Sequence, residues 1–129
     1  MRIARRDLCG RLLRGAAVLA LGGALPKPEP PRLVLDRFWV AGFRYYEGLD
    51  LLHALRCGDA LTLEPEPTNP YDERAVEVLW RGRKLGYVPR RHNAVISRLL
   101  GQGAGLAAHI HALQPDMAPW EMVQVEVCL

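Results

Sequence analysis

The stretch Gly58–Pro89, GDALTLEPEPTNPYDERAVEVLWRGRKLGYVP, decides the expected fold. Ala60–Glu64 predicts a strand, which the proline-rich Pro65–Pro70 ends because proline cannot donate to a ladder of hydrogen bonds. Ala75–Trp80 alternates between apolar and mixed positions, which is the period of a strand with one buried face. Arg81-Gly82 then predicts a turn into a further strand over residues 84–88. This part of the chain is therefore expected to form short strands joined by turns.

The flanking sequence predicts more elements of the same kind. Extended segments are expected at residues 33–35, 38–46, 106–113 and 120–129, where β-branched and aromatic residues concentrate. A short helix is expected at residues 49–56. A second helix is expected from a cap at Asn93 to Leu100, with Val95 and Ile96 on its apolar side. About six strands with one or two short helices predict a mainly β fold, as a small barrel or a sandwich.

Charge is unevenly distributed along the 129 residues, whose net charge is +3. Residues 1–31 carry +4 and residues 32–129 carry −1, so the basic character of the whole chain does not by itself indicate nucleic-acid binding by the body. Residues 81–98 nevertheless hold six basic and no acidic residues. Aromatic residues interleaved with local positive charge are typical of a single-stranded nucleic-acid groove. A solvated basic face beside core aromatics is the alternative.

The first 31 residues have the order of a secretory signal peptide. Five arginines in the first 14 residues precede an uncharged stretch, Gly15–Leu25, and then small residues and a proline-rich lead-in. The Arg5-Arg6 pair resembles the twin-arginine export signal. We therefore expect residues 32–129 to form the mature domain, periplasmic or secreted; a cytoplasmic protein with an N-terminal extension is the alternative. No run reaches 18 apolar residues, so no membrane-spanning helix is expected.

The cysteines and histidines give no recognisable metal or catalytic motif. Cys57 and Cys128 would survive cleavage of the leader, and they could pair in an oxidising compartment or stay as isolated thiols. His109-x-His111 places two imidazoles on one face of a predicted strand, but no third ligand is apparent, so a solvated face is favoured over a metal site. Nucleotide-binding GxxxxGK[ST], HExxH and CxxC patterns are absent from the sequence. We expect no enzyme, no cofactor and no metal.

The loop Asn69-Pro70-Tyr71-Asp72 is the most informative local feature. An Asx-Pro turn is expected to hold Tyr71 and Asp72 at the tip of a loop, where an aromatic ring is poorly suited to a pure turn role. Asp59 and Asp72 are the carboxylates with a conceivable catalytic role, but turn and cap roles explain both.

Three blocks of sequence together resemble the HIRAN domain family. They are Ala41-Gly42-Phe43-Arg44-Tyr45-Tyr46, the run from Gly58-Asp59 through Asn69-Pro70-Tyr71-Asp72 to Ala75-Val76-x-Val78, and Lys84-Leu85-Gly86-Tyr87-Val88-Pro89. The resemblance extends from about residue 40 to about residue 113. It implies a small OB-like β-barrel and a binding module. In fork-remodelling DNA translocases, the domain captures the 3′ end of single-stranded DNA.

The resemblance also implies roles for individual residues. Tyr45 and Tyr71 would stack the terminal bases, and Asp72 would accept a hydrogen bond from the terminal 3′-hydroxyl. Arg44 would contact phosphate, and Asn69 would position the loop or the end nucleotide. Lys84, Arg90 and Arg91 would contact the nucleic-acid backbone. Tyr87 stands where the family's DNA-end binder has a histidine.

The leading functional prediction is a module that binds single-stranded nucleic acid, preferably at a free 3′ end of DNA. The alternative is an exported OB-like module that binds a peptide, a glycan or an envelope partner through the same aromatic groove.

Overall fold

The structure is a computed structural model that describes residues 32–129. The predicted signal peptide and lead-in at residues 1–31, including Cys9, lie outside the described residues. The described chain forms β1 (Val34–Trp39), a 3₁₀ helix (Phe43–Tyr45), α1 (Gly48–Leu51), β2 (Ala60–Pro65), β3 (Val76–Trp80), β4 (Arg83–Tyr87), α2 (Arg90–Gly101), β5 (Ala107–Leu113), a second 3₁₀ helix (Pro119–Glu121) and β6 (Val123–Cys128). Within residues 32–129, no helix is long and apolar enough to cross a membrane.

The six strands form one sheet in the order β1-β6-β5-β2-β3-β4, and every neighbouring pair is antiparallel. The sheet curls into a half-barrel, with β1 and β4 at its two edges. This architecture confirms the prediction of a mainly β, small OB-like barrel. Alternation explains the core: Val76, Val78 and Trp80 of β3 are buried, as are the three valines of β6 that face inward.

The two edges of the sheet meet just after β1. Ala41 and Tyr87 exchange both backbone hydrogen bonds, at 2.8 and 2.9 Å, in an isolated antiparallel bridge. Gly86 permits this approach, because a Cβ atom at that position would lie 2.3 Å from the carbonyl oxygen of Ala41 and 2.6 Å from a methyl group of Val40. Gly86 therefore allows the backbones of the two sheet edges to approach each other closely.

The turn between β3 and β4 follows the residues that the sequence indicated. Arg81 and Gly82 both have positive φ, 50° and 79°, which is the pattern of the two-residue turn that matches the twist of antiparallel strands. The pair joins strands that are paired from Glu77↔Tyr87 to Trp80↔Arg83, with a shift of register between Val78 and Leu79. The strands predicted over residues 75–80 and 84–88 are therefore confirmed to within a residue at each end.

The predicted strand over residues 38–46 is wrong beyond Trp39. Gly42 takes a left-handed conformation with φ 70°, and residues 43–45 then form a 3₁₀ helix. The reason is tertiary: the Phe43 ring is buried and packs so closely on Gly48 that a Cβ atom there would lie 2.3 Å from the ring. The chain therefore folds back on itself instead of extending the sheet.

Helix boundaries also differ from the predictions. The helix expected over residues 49–56 is a single turn, Gly48–Leu51, and the carboxylate of Asp59 accepts the backbone N–H of Arg56 just beyond it. Asn93 is not the cap of α2: the helix begins at Arg90 after Pro89, and Asn93 is buried within it. Val95 is exposed rather than part of the apolar side.

The last strand also requires correction, and the structure decides between the two alternatives that were open for Cys128. The strand expected from residue 120 begins at Val123, because Pro119–Glu121 form a 3₁₀ helix. Cys128 is a buried free thiol, so it does not pair with Cys57.

Candidate functional site

A groove of about 420 Å³ opens where the two edges of the sheet meet. It lies between the segment after β1, the loop from β2 to β3, the end of β4 and the start of α2. Five of the eight predicted site residues line it, namely Asn69, Tyr71, Asp72, Tyr87 and Arg90, together with Ala41, Tyr46, Glu66, Pro70, Ala75 and Val88. Closure of the sheet thus brings together residues that are up to 49 positions apart.

The loop at the rim of the groove is built on Asn69. Its side-chain oxygen accepts the backbone N–H groups of Tyr71 (2.8 Å) and Asp72 (3.1 Å), which is the Asx turn that the sequence predicted. Its side-chain nitrogen donates to Glu66 at 2.9 Å. Asn69 therefore fixes the backbone that carries the two residues with the most specific predicted roles. The Tyr71 ring itself is 85% exposed and available for stacking.

Asp72 presents a charged carboxylate beside that ring. Oδ1 accepts the backbone N–H of Arg74 at 2.9 Å, and Oδ2 accepts the side-chain amide of Asn93 at 2.7 Å. These bonds, with the nearby charge of Arg90, outweigh desolvation and hold the pKa of Asp72 below its ordinary 3.8. Asp72 is therefore an acceptor at neutral pH. Each oxygen has a further lone pair, and a fifth of the side chain is exposed.

Arg90 is the cation at the mouth of the groove. Its Nη2 donates to the carbonyl oxygen of Tyr71 at 2.8 Å, and its Nε lies 3.8 Å from the carboxylate of Asp72. The side chain is 73% exposed, so most of its donors still face solvent. Arg90 thus braces the loop while offering positive charge beside it.

The inner wall of the groove is a compact polar cluster around Tyr87. The Lys84 ammonium group donates to the Tyr87 hydroxyl at 2.6 Å and lies about 4 Å from the rings of Tyr46 and Tyr87. The Tyr87 hydroxyl donates in turn to Glu66. Burial alone would lower the pKa of Lys84, but the hydrogen bonds to Tyr87 and Glu77 outweigh it and raise the pKa above its ordinary 10.5.

This cluster bears on the predicted roles of Lys84 and Tyr87. The charge of Lys84 is engaged by Glu77 at 3.1 Å and is shared with Glu66 at 4.0 Å. It therefore holds the wall in place, and its predicted phosphate contact stays a prediction. The Tyr87 ring meets Tyr46 edge to face, with the ring centroids 5.7 Å apart. The rings of Tyr46 and Tyr87 thus form an aromatic wall, and the charged side chain of Lys84 packs against them.

Three predicted site residues lie outside the lining of the groove: Lys84, which contacts the rings of Tyr46 and Tyr87, and the pair Arg44 and Tyr45. Arg44 and Tyr45 belong to the 3₁₀ helix after β1, where the guanidinium group stacks 5.3 Å from the centre of the Tyr45 ring. The ring is 74% exposed. Tyr46, which the sequence reasoning did not single out, lines the groove instead. In the predicted strand, Tyr45 and Tyr46 would point to opposite faces of the sheet. The chain instead forms a 3₁₀ helix through Tyr45, and this turn directs Tyr46 rather than Tyr45 into the groove.

A second depression continues from the first and was missed by the sequence reasoning. It has a volume of about 500 Å³ and shares Ala41 and Arg90 with the groove. Trp39 and Trp120 are its aromatic residues, and Trp120 is 62% exposed. The sequence predicts a strand at Trp120, and no sequence signal marks this residue as exposed. Arg91, for which the resemblance implied a backbone contact, lies in this second depression.

Comparison with known proteins agrees with this architecture. The HIRAN domain family model matches residues 37–128. A crystal structure of a protein from Lactobacillus plantarum superimposes with a TM-score of 0.62 and 28% identity, covering 77% of this chain and 98% of that one. The HIRAN domain of human HLTF superimposes with a TM-score of 0.57 and 18% identity, covering 75% of this chain and 78% of that one, which shows a shared fold. No curated protein sequence matches the chain significantly.

The family match covers the described elements from within β1 to the end of β6, and with them the whole groove. A HIRAN domain is a binding module, and the match supports nucleic-acid binding by this one. Its matching sequence and its curled six-stranded sheet together show that the chain belongs to the HIRAN domain family.

Proposed function

We propose that the domain binds single-stranded DNA in the groove and prefers a free 3′ end. The observation that carries this proposal is the rim loop, where one Asx turn fixes an exposed aromatic ring and a charged acceptor next to each other. Stacking on Tyr71 would hold the terminal base, because every base has a face that an aromatic ring can cover. The comparisons give no support to the alternative of a peptide, glycan or envelope partner.

Asp72 would supply the preference for a 3′ end. A free hydroxyl can donate to its carboxylate, whereas a continuing phosphate would bring a second negative charge to the same place. The partners of Asp72 orient it for this role, since the bonds from Arg74 and Asn93 fix the plane of the carboxylate. Asn69 would act by positioning the loop.

The sugar-phosphate backbone of the bound DNA would run from the rim loop toward exposed cations. Arg90 is the nearest, and Arg44 with Tyr45 offers a cation and a second stacking surface beside the groove. The pair of tryptophans in the adjoining depression, with Arg91, extends the same combination of ring and charge. These cations are few in number, so we expect affinity of order micromolar near physiological salt, weakening as salt is added.

The test is a fluorescence anisotropy titration of short single strands that end in a 3′-hydroxyl or a 3′-phosphate, with a duplex of the same sequence as control. The expected order is 3′-hydroxyl, then 3′-phosphate, with the blunt duplex weakest. Equal binding of the two single strands would remove the 3′-end preference and leave a general single-strand binder. An absence of binding even at low salt would contradict nucleic-acid binding altogether.

We also propose, from the leader sequence, that the domain is exported. The ligand would then be DNA outside the cytoplasm, such as DNA being taken up or released. N-terminal sequencing should find a mature chain that begins between about residue 23 and residue 32. Replacing Arg5 and Arg6 by lysine should block export by the twin-arginine route. Intact cytoplasmic protein would contradict export.

A further inference from the structure

The sheet carries a second cluster of reactive side chains on its outer face, away from the core. His109 of β5 pairs in register with Glu126 of β6, and Cys128 follows two residues later on the same face. The three ligand atoms, His Nε2, a Glu carboxylate oxygen and Cys Sγ, all lie within 4.8 Å of one another. Glu126 and Cys128 are buried, and His109 is about a third exposed. A small ligand from solvent can therefore reach the cluster from the His109 side.

The spacing of these atoms suits one metal ion. Ligands about 2.0–2.3 Å from a tetrahedral centre lie about 3.3–3.8 Å from each other. Oε1 of Glu126 lies 3.3 Å from His109 Nε2 and 3.8 Å from Cys128 Sγ. Two of the three edges of the ligand triangle are thus already at coordination distance. The third edge, from His109 Nε2 to Cys128 Sγ, is no longer than 4.8 Å.

The other oxygen of Glu126 is held by a different set of groups. Arg37 of β1 donates from Nε to Oε2 at 2.6 Å, and His111 Nδ1 lies 3.6 Å from the same oxygen. Oε1 therefore faces the histidine and the cysteine while Oε2 is anchored to the neighbouring strand. Outer hydrogen bonds of this kind orient carboxylate ligands in metal sites.

We propose that His109, Glu126 and Cys128 bind a zinc-class divalent cation. Imidazole, carboxylate and thiolate together match borderline ions such as Zn²⁺ or Co²⁺, whereas Mg²⁺ and Ca²⁺ prefer sites made of oxygen atoms alone. Three protein ligands leave a fourth position for water. Coordination requires the thiol of Cys128 to lose its proton, and the resulting thiolate and the carboxylate would offset most of the combined charge of the ion and of Arg37.

This site is independent of the groove. It joins β5 to β6 near the end of the last strand, where Arg37 of β1 also contacts Glu126, so a bound ion would tie three neighbouring strands together. A ligand that binds only the folded state stabilises it by mass action. The sequence predicts no metal site because no third ligand is apparent beside His109-x-His111, whereas the register of two strands brings Glu126 and Cys128 to His109.

The experiment is a titration of the full 129-residue chain, kept under reducing conditions, with Co²⁺ and then Zn²⁺ in competition. Binding of one equivalent should produce a thiolate-to-cobalt charge-transfer band that Zn²⁺ removes, and Zn²⁺ should raise the melting temperature. Cys128→Ser should abolish the band. His109→Gln should keep part of the band, because Cys128 is still present. It should weaken the affinity for Co²⁺ by at least about 10- to 100-fold, which is the order of the loss when a metal ligand loses only its outer hydrogen-bond partner.

His53→Gln is the matched control, because His53 is exposed and lies outside the cluster. It should bind Co²⁺ as the unmodified chain does. The proposal fails if no equivalent of metal binds, or if Cys128→Ser keeps the charge-transfer band, which would place the ion on another cysteine. It also fails if His53→Gln weakens binding as much as His109→Gln. Circular dichroism of each variant would identify any loss of fold.

Discussion

The buried amide of Asn93 donates a 2.7 Å hydrogen bond to Oδ2 of Asp72, which lies 21 residues earlier in the chain. This bond connects the first turn of α2 to the tip of the loop between β2 and β3. Asn93 is 3% exposed, so its amide group cannot exchange this partner for bulk water. The geometry of the rim is therefore fixed from inside the protein as well as by Asn69 within the loop.

Removing that bond should loosen the rim. Asn93→Ala is expected to lower the free energy of unfolding by about 1–3 kcal/mol, the usual cost when a buried hydrogen bond loses a partner. Asn93→Asp has nearly the same shape but places a second carboxylate against Asp72, so it should cost more at neutral pH and recover partly in acid. Urea unfolding measures both. Unchanged stability of both variants would show that the bond does not hold the loop.

Tyr71 should contribute to binding but not to folding. Tyr71→Ala is expected to weaken single-strand binding by about 1–3 kcal/mol, the typical loss of one stacking platform. Its ring is 85% exposed, so the urea midpoint should barely change. Tyr71→Phe keeps the ring and should bind like the unmodified domain. If Phe and Ala weaken binding equally, the hydroxyl rather than the ring makes the contact.

Asp72→Asn should remove the preference for a 3′-hydroxyl over a 3′-phosphate while leaving general affinity for single strands. The replacement keeps the size of the side chain and removes the charge that repels phosphate. Anisotropy titrations with the two oligonucleotides measure the ratio. An unchanged ratio would transfer the preference to another group.

The pH dependence of this preference has a definite sign. The folded-state pKa of Asp72 lies below its ordinary 3.8, so the carboxylate is charged at all mildly acidic and neutral pH values. The charged acceptor at Asp72, and the stability from its hydrogen bonds, should be fully present above pH 3.8 and lost only as the pH falls through the lower folded-state pKa. The affinity for the 3′-hydroxyl strand should therefore be the same at pH 5 and pH 7, whereas the affinity for the 3′-phosphate strand should fall between them, because that phosphate gains a second negative charge at about pH 6. A 3′-hydroxyl affinity that changes between pH 5 and pH 7 would mean that another group controls the contact.

Arg90→Ala should weaken binding to all single strands and reduce the salt dependence. One lost phosphate contact lowers the slope of log affinity against log salt by about 0.7 for a single strand. Arg98→Ala is the matched control, since it removes the same charge from the last turn of the same helix. Equal slopes for the two variants would mean that Arg90 acts through net charge and not through contact.

Gly86→Ala tests the closure of the sheet. The added Cβ atom would lie 2.3 Å from the carbonyl oxygen of Ala41, so the bridge between Ala41 and Tyr87 must open. We expect a loss of about 1–3 kcal/mol in the free energy of unfolding, as for other overpacked sites. Gly101→Ala has open space around the new atom and should be neutral. A stable Gly86→Ala variant would show that the edges need not meet.

The strands of this protein were predictable because their signals are local. The alternation of Val76, Val78 and Trp80 is a property of five consecutive residues, and Arg81-Gly82 specifies its own turn through backbone conformation. The Asx turn at Asn69 is equally local, since its acceptor binds N–H groups two and three residues away. Three of the five predicted residues that line the groove, Asn69, Tyr71 and Asp72, lie on this one loop, whereas Tyr87 and Arg90 reach it only through the tertiary structure.

What the sequence alone determined is therefore the set of strands, their turns and the shape of one loop. Only the tertiary structure decided that residues 43–45 leave the sheet, because the burial of Phe43 against Gly48 outweighs their strand propensity. The bond from Asn93 to Asp72 and the pairing of His109 with Glu126 likewise depend on partners far along the chain. The physical reason is that alternation and turn conformation are fixed by neighbouring residues. Strand register and sheet closure instead depend on the hydrogen bonds and buried area gained when distant segments meet.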